Sequence, residues 1–239
     1  MPAPFTPETV TIAQIAKMID YSLLRPELTD DQIRAGCELA ARYWVASLCV
    51  RPCDVARAAE LLAGTDVLVG TIVGFPHGDS VTSTKVSEAW TAVEQGAHEI
   101  DMVLNIGRLR SGELAYVEAD IRAVVDASGV PVKVILENAY LSDAEKVAGC
   151  QAAERAGAVF VKTSTGFAPS GATLEDLKLM RAAVSSKVGV KAAGGVRSLD
   201  TLLEMANIGV TRFGATAAQA ILDDLAYRQK HGEPISATT

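Results

Sequence analysis

Eight short runs rich in β-branched residues recur along this chain, and an amphipathic segment rich in alanine, leucine and glutamate follows each. The runs are KMIDYSLL (17–24), WVASLCV (44–50), DVLVGTIVGF (66–75), EIDMVL (99–104), VPVKVILE (130–137), AVFVKTS (158–164), KVGVKAAGG (187–195) and VTRFGAT (210–216). Such alternation predicts parallel strands joined by helical crossovers. One residue near the end of each run (Asp20, Cys49, Phe75, Asp101, Glu137, Lys162, Lys191, Gly214) follows the last by roughly 30 positions, as when about 250 residues divide over eight units. The expected fold is therefore α/β, a (β/α)8 barrel. An open doubly wound sheet is the alternative, but no GxGxxG follows the first run.

Start signals stand between the runs. Thr29 to Gln32 and Ser142 to Glu145 read as capping boxes, and Gly112, Thr173 and Ser198 lie near other helix starts. No Pro/Ser-rich linker interrupts the chain, so residues 1–239 are expected to form one domain. Within it, 1–16 form a short N-terminal helical extension and 231–239 (HGEPISATT) a flexible polar tail.

Composition narrows the function classes. With 49% hydrophobic and 21% charged residues the chain can bury a large core, and a net charge of −7 argues against nucleic acid or an anionic membrane as partner. Cys37, Cys49, Cys53 and Cys150 include no CxxC pair, and His77, His98 and His231 form neither HxH nor HExxH, so no metal site is expected. The opening MPAPFTPETVTIAQIAKMID lacks a signal pattern, and no apolar run approaches the roughly 20 residues of a membrane span. A cytoplasmic protein with free thiols is expected.

In a barrel of this kind the C-terminal strand ends form the floor of the active site. Asp20, Asp101, Glu137, Lys162 and Lys191 all lie at such ends. Lys133 shares a strand face with Ile135 and Glu137 and is expected to point with them. Three carboxylates and three ammoniums thus converge. A self-neutralising ion-pair network is the plain structural explanation. The chemical one starts from burial: a desolvated lysine with a second ammonium beside it has a lowered pKa and becomes an amine able to attack a carbonyl. Lys162 beside Lys191 offers that arrangement, with Asp101 as a proton-relay carboxylate.

Two glycine-bearing turns, AAGGVRS (192–198) and FGATAAQ (213–219), follow the last two strands, where barrels often hold phosphate. Gly194, Gly195, Val196, Arg197, Gly214 and Thr216 are the candidate contacts, joined by Thr165 and Gly166 from the preceding turn.

These residues resemble a specific family. KTSTGF (162–167) with VGVKAAGGVRS (188–198), supported by IDYSLL, LCVRP, VGFPHG, EIDMVLNIG and VKVILEN, is similar to deoxyribose-phosphate aldolase, a class I aldolase, over roughly 19–222. The resemblance implies a cofactor-free lyase that cleaves 2-deoxy-D-ribose 5-phosphate to acetaldehyde and D-glyceraldehyde 3-phosphate. It implies Lys162 as the Schiff-base lysine, Lys191 as the cation that lowers its pKa, and Asp101 as the relay. Asp20, Cys49, Lys133 and Glu137 then fall in the substrate-binding polar network, although Cys49 also reads as a small hydrophobe in the wall. His77 is expected to be peripheral, and a homodimer is the implied assembly. Departures are Tyr21-Ser22 in place of His-Thr, Ala217 where a second hydroxyl is usual, and Asn138-Ala139 after Glu137. Ala217 keeps open a related Schiff-base aldolase with another aldehyde substrate. A non-catalytic phosphosugar-binding barrel and a cofactor-free sugar-phosphate isomerase are the readings from other classes.

Overall fold

The computed structural model describes residues 4–232. Eight parallel strands close a barrel in chain order: β1 (Ile19–Leu23), β2 (Ser47–Val50), β3 (Leu68–Val73), β4 (Glu99–Val103), β5 (Val132–Ile135), β6 (Phe160–Lys162), β7 (Gly189–Ala193) and β8 (Arg212–Ala215). β1 pairs with both β2 and β8, Asp20 standing opposite Ser47 on one side and Gly214 on the other. Each strand lies inside its predicted run, which extended into the flanking turns. Among the described residues no helix is long and apolar enough to cross a membrane.

The helices are α1 (Ile12–Ala16), α2 (Asp30–Tyr43), α3 (Val55–Leu61), α4 (Thr82–Glu94), α5 (Ile106–Arg110), α6 (Leu114–Ser128), α7 (Asp143–Arg155), α8 (Leu174–Ala183), α9 (Leu199–Asn207) and α10 (Ala218–His231). Both capping boxes form, with Thr29 and Ser142 as N-caps, and Thr173 and Ser198 cap α8 and α9. Gly112 lies two residues before the start of α6, in a left-handed turn with φ 77°. The five-residue α5 was not anticipated. It is too short to show a helical period, and it accounts for the long stretch between Asp101 and Glu137. The predicted tail begins within α10 at His231, and its residues 233–239 lie outside those described.

Packing follows the two periodicities. On α2 the buried residues Ile33, Gly36, Cys37 and Ala40 form one stripe. Gly36 lets that helix approach β1, since a Cβ there would fall 2.2 Å from Leu23 Cδ1. On the strands, Ile100, Met102, Val134, Val161 and Val190 belong to the apolar layer and alternate with Glu99, Asp101, Lys133, Lys162 and Lys191. A barrel interior is ordinarily filled by branched apolar side chains. Here much of it is ionic, and interior glycines leave room for long side chains: a Cβ on Gly214 would stand 3.4 Å from Lys191 Cε, and one on Gly70 3.4 Å from Glu99.

Candidate active site

β6 and β7 place Lys162 opposite Lys191 in register, with Ile135 of β5 on the other side of Lys162. Both lysines are buried, and each Nζ lies 2.6 Å from Oδ2 of Asp101. Lys191 also reaches Asp20 Oδ2 at 2.5 Å. Lys133 lies 3.0 Å from Asp101 Oδ1, 3.5 Å from Asp20 Oδ2 and 2.6 Å from Glu99 Oε1. Arg212 completes the set, with Nη1 2.6 Å from Asp20 Oδ1 and 3.6 Å from Glu99 Oε2. Ser47 donates to Asp20 Oδ1 at 2.8 Å.

Burial pulls every ammonium here toward neutrality, and the neighbours decide the outcome. At Lys162 burial, helped by the Lys191 charge, outweighs the pull of Asp101, and the amine lies below the ordinary lysine value. At Lys191 burial acts the same way, but Asp101 and Asp20 together more than offset it and its pKa rises. Lys133 goes the same way for the same reason, held charged by Asp101, Asp20 and Glu99. Burial would raise the Asp20 and Asp101 carboxyls, yet the surrounding lysines hold both well below the usual carboxylate range. Before substrate binds, four of the five groups are thus held in the charged form, and Lys162 alone has a pKa moved toward the free amine.

Above the amine opens a cavity of ≈ 330 Å³. Lys162, Thr165, Gly166, Gly194, Gly195, Val196, Arg197, Gly214 and Thr216, all expected from sequence, lie in its wall. The β6 and β7 turns that frame it are tied together. Thr163 Oγ1 donates to Ala193 O and accepts from Ala193 N, both at 3.0 Å, and Ala172 N donates to Gly194 O at 2.9 Å. Gly194 must be glycine: its φ is 80°, and a Cβ there would meet Gly171 Cα at 2.8 Å.

Other expected residues sit elsewhere. Asp20, Lys133 and Cys49 are not among the residues lining the cavity and are buried. Cys49 behaves as a small hydrophobe, its thiol pushed up to about 12 by burial and the Asp101 charge. Glu137 does not point with Lys133. The alternation lasts only as long as the strand, and β5 ends at Ile135. Glu137 turns left-handed, φ 59°, and accepts from the Thr165 hydroxyl and, at 3.2 Å, the Thr165 amide. Burial raises its pKa against those hydrogen bonds. The third carboxylate of the cluster is Glu99 instead. Glu99 lies two residues before Asp101 on one strand face, and Arg212 two before Gly214, so the two-residue period carried the signal for both. His77 lines a separate recess with Glu137 and Tyr140.

The mouth adds residues that sequence reading missed. Tyr21, Leu24, Arg25, Leu28 and Phe167 line the cavity. Arg25 lies 4.7 Å over the Phe167 ring, which meets Phe75 edge to face at 5.4 Å. An isolated arginine after the first strand carries no pattern that marks it.

Comparison with known proteins agrees with this geometry. Residues 14–223 match the model of the DeoC/LacD family aldolases. The chain is 51% identical over 218 residues to the deoxyribose-phosphate aldolase of Caldanaerobacter subterraneus subsp. tengcongensis, covering 90% of this chain and 94% of that protein. It is 51% identical over 210 residues to that of Streptococcus gordonii, covering 87% and 96%. Among solved structures, the deoxyribose phosphate aldolase of Aeropyrum pernix, described as a tetramer, superposes with a TM-score of 0.83 at 28% identity, covering 90% of this chain and 92% of that one.

Proposed function

The chain belongs to the DeoC/LacD family of aldolases, and on that premise we propose that it cleaves 2-deoxy-D-ribose 5-phosphate reversibly to acetaldehyde and D-glyceraldehyde 3-phosphate through a Schiff base on Lys162. It is a class I aldehyde-lyase. The observation that carries the assignment of Lys162 is its place: it is the lysine of the cluster that lines the cavity, and the one whose pKa is lowered.

In the cleavage direction the neutral Lys162 amine adds to C1 of the open-chain sugar, and loss of water gives the imine. Removal of the proton from the C3 hydroxyl lets the C2–C3 bond break, its electron pair entering the imine to form an enamine, and D-glyceraldehyde 3-phosphate leaves. Protonation of the enamine at C2 and hydrolysis release acetaldehyde and restore the amine. Asp101 Oδ2, already 2.6 Å from the Lys162 nitrogen, accepts and returns the protons exchanged there. Lys191 keeps that carboxylate ionised and the amine neutral. The substrate phosphate lies against the Gly194–Arg197 and Gly214–Thr216 turns, with Arg25 and Arg197 as its cations. Arg25 supplies charge at a site where Ala217 supplies no hydroxyl.

Incubation with 2-deoxy-D-ribose 5-phosphate is the direct test: acetaldehyde and the triose phosphate are expected in equal amounts. Equal rates on unphosphorylated deoxyribose would reject the phosphate substrate and favour a related aldolase of other aldehydes. The same proposal includes cytoplasmic operation, consistent with four free thiols. It also includes a homodimer, suggested by family resemblance and tested by light scattering.

A further inference from the structure

The ion network does not stop at the floor of the cavity. Arg212, Glu99 and Phe160 are the first residues of β8, β4 and β6, so they stand at the end of the barrel opposite the cavity. The Arg212 guanidinium rests 5.5 Å from the Phe160 ring and binds Asp20 and Glu99. From there a continuous path of contacts runs through Asp20 to Lys191, and through Glu99 to Lys133. Both branches end on Asp101, beside Lys162.

The charges along that path count to a specific sum. Asp20, Glu99 and Asp101 carry three negative charges, and Lys133, Lys191 and Arg212 three positive ones. Counted over these six groups and Lys162, the path is neutral when the amine is neutral, and a proton on Lys162 leaves one positive charge that no group of the path compensates; Glu137, bound to Thr165, lies outside it. We propose that Arg212 and Glu99 are positioning residues for the amine, fixing from the far end of the barrel the charge sum that favours the unprotonated form of Lys162. Glu99 Oε1 lies 2.6 Å from Lys133 Nζ, a buried ion pair that couples the Arg212 end of the barrel to Lys133. Facing the Lys162 nitrogen are Asp101 from β4, Lys191 from β7 and Cys49 from β2, with Glu137 in the loop after β5. Facing Arg212 are Asp20, Glu99 and, farther off, Asp101.

A merely structural pair would lower stability when broken and leave the amine's titration where it was. A charge-setting pair gives opposite signs for its two members. Arg212→Met leaves the cluster one negative charge in excess and favours the protonated amine. Glu99→Gln leaves one positive charge in excess and disfavours it.

The inference rests on Lys162 being the Schiff-base lysine, and its test separates the two. The rate of acetaldehyde capture on Lys162 is followed with cyanoborohydride across pH, since acetaldehyde has no titratable group. Arg212→Met is expected to move the acid limb of that profile up by roughly half a pH unit or more, and Glu99→Gln to move it down similarly. The double variant is expected to return toward the parent profile, and Arg212→Lys to stay near it. Limbs that stay in place, or that move in the same direction, in folded variants overturn the inference while leaving Lys162 as the nucleophile. If Arg212→Met does not fold, the direction of the Glu99→Gln shift decides alone. Absence of capture on Lys162 in the parent protein overturns the functional assignment itself.

Discussion

Lys162 and Lys191 stand side by side on β6 and β7, and both reach the same oxygen of Asp101 at 2.6 Å. Their titrations diverge although their burial is alike. Lys191 has Asp20 as a second partner at 2.5 Å and its pKa is raised; Lys162 has no second carboxylate partner among the described residues and its pKa is lowered.

Replacing Lys191 tests that division. Lys191→Leu removes the neighbouring positive charge, so the pKa of Lys162 rises and the acid limb of the rate profile moves to higher pH. Activity at neutral pH is expected to fall by about 10- to 100-fold and to recover in part on raising the pH. A profile of unchanged shape would contradict the role given to Lys191.

The carboxylates set how stability depends on pH. Asp101 and Asp20 have folded pKa values below the unfolded value of about 3.9, so their contribution is present above that pH and is lost as pH falls toward the folded values. Lys133 and Lys191 have raised values, so theirs is present below about 10.4 and is lost as pH rises through the folded values. Urea unfolding of Asp101→Asn at pH 7 should show a loss of about 3–5 kcal/mol, because the buried cluster loses the carboxylate shared by Lys133, Lys162 and Lys191 and is left with excess positive charge. The gap to the parent should narrow below pH 4. A constant gap down to pH 2 would place the carboxylate outside the network.

At the mouth, Arg25→Ala should raise KM for deoxyribose 5-phosphate by about 10-fold or more with little change in kcat, as expected when uniform binding is lost. The rate on unphosphorylated deoxyribose should not change. An equal effect on both substrates would show that Arg25 acts through Phe167 packing instead of through the phosphate.

How much of this was legible in the chain depends on the range of the signal. The barrel was readable because burial on both faces writes each strand as an apolar run, and a lysine such as Lys162 within one stands out. Thr29 and Ser142 were readable because caps are local chemistry. Glu137 was misplaced because strand alternation was carried two residues past Ile135, where a left-handed turn redirects the side chain. Glu99 and Arg212 stand at strand starts, away from the cavity, and their role depends on contacts across the barrel. Arg25 and Phe167 meet only because three loops converge, which no local pattern records.

The central claim is that Lys162 is the amine that carries the reaction. Incubating the protein with 2-deoxy-D-ribose 5-phosphate, reducing with borohydride and mapping the adduct by mass spectrometry tests it directly. A single substrate-dependent adduct on Lys162 is expected, absent from a folded and inactive Lys162→Ala variant. An adduct on another lysine, or turnover without any adduct, would contradict the account.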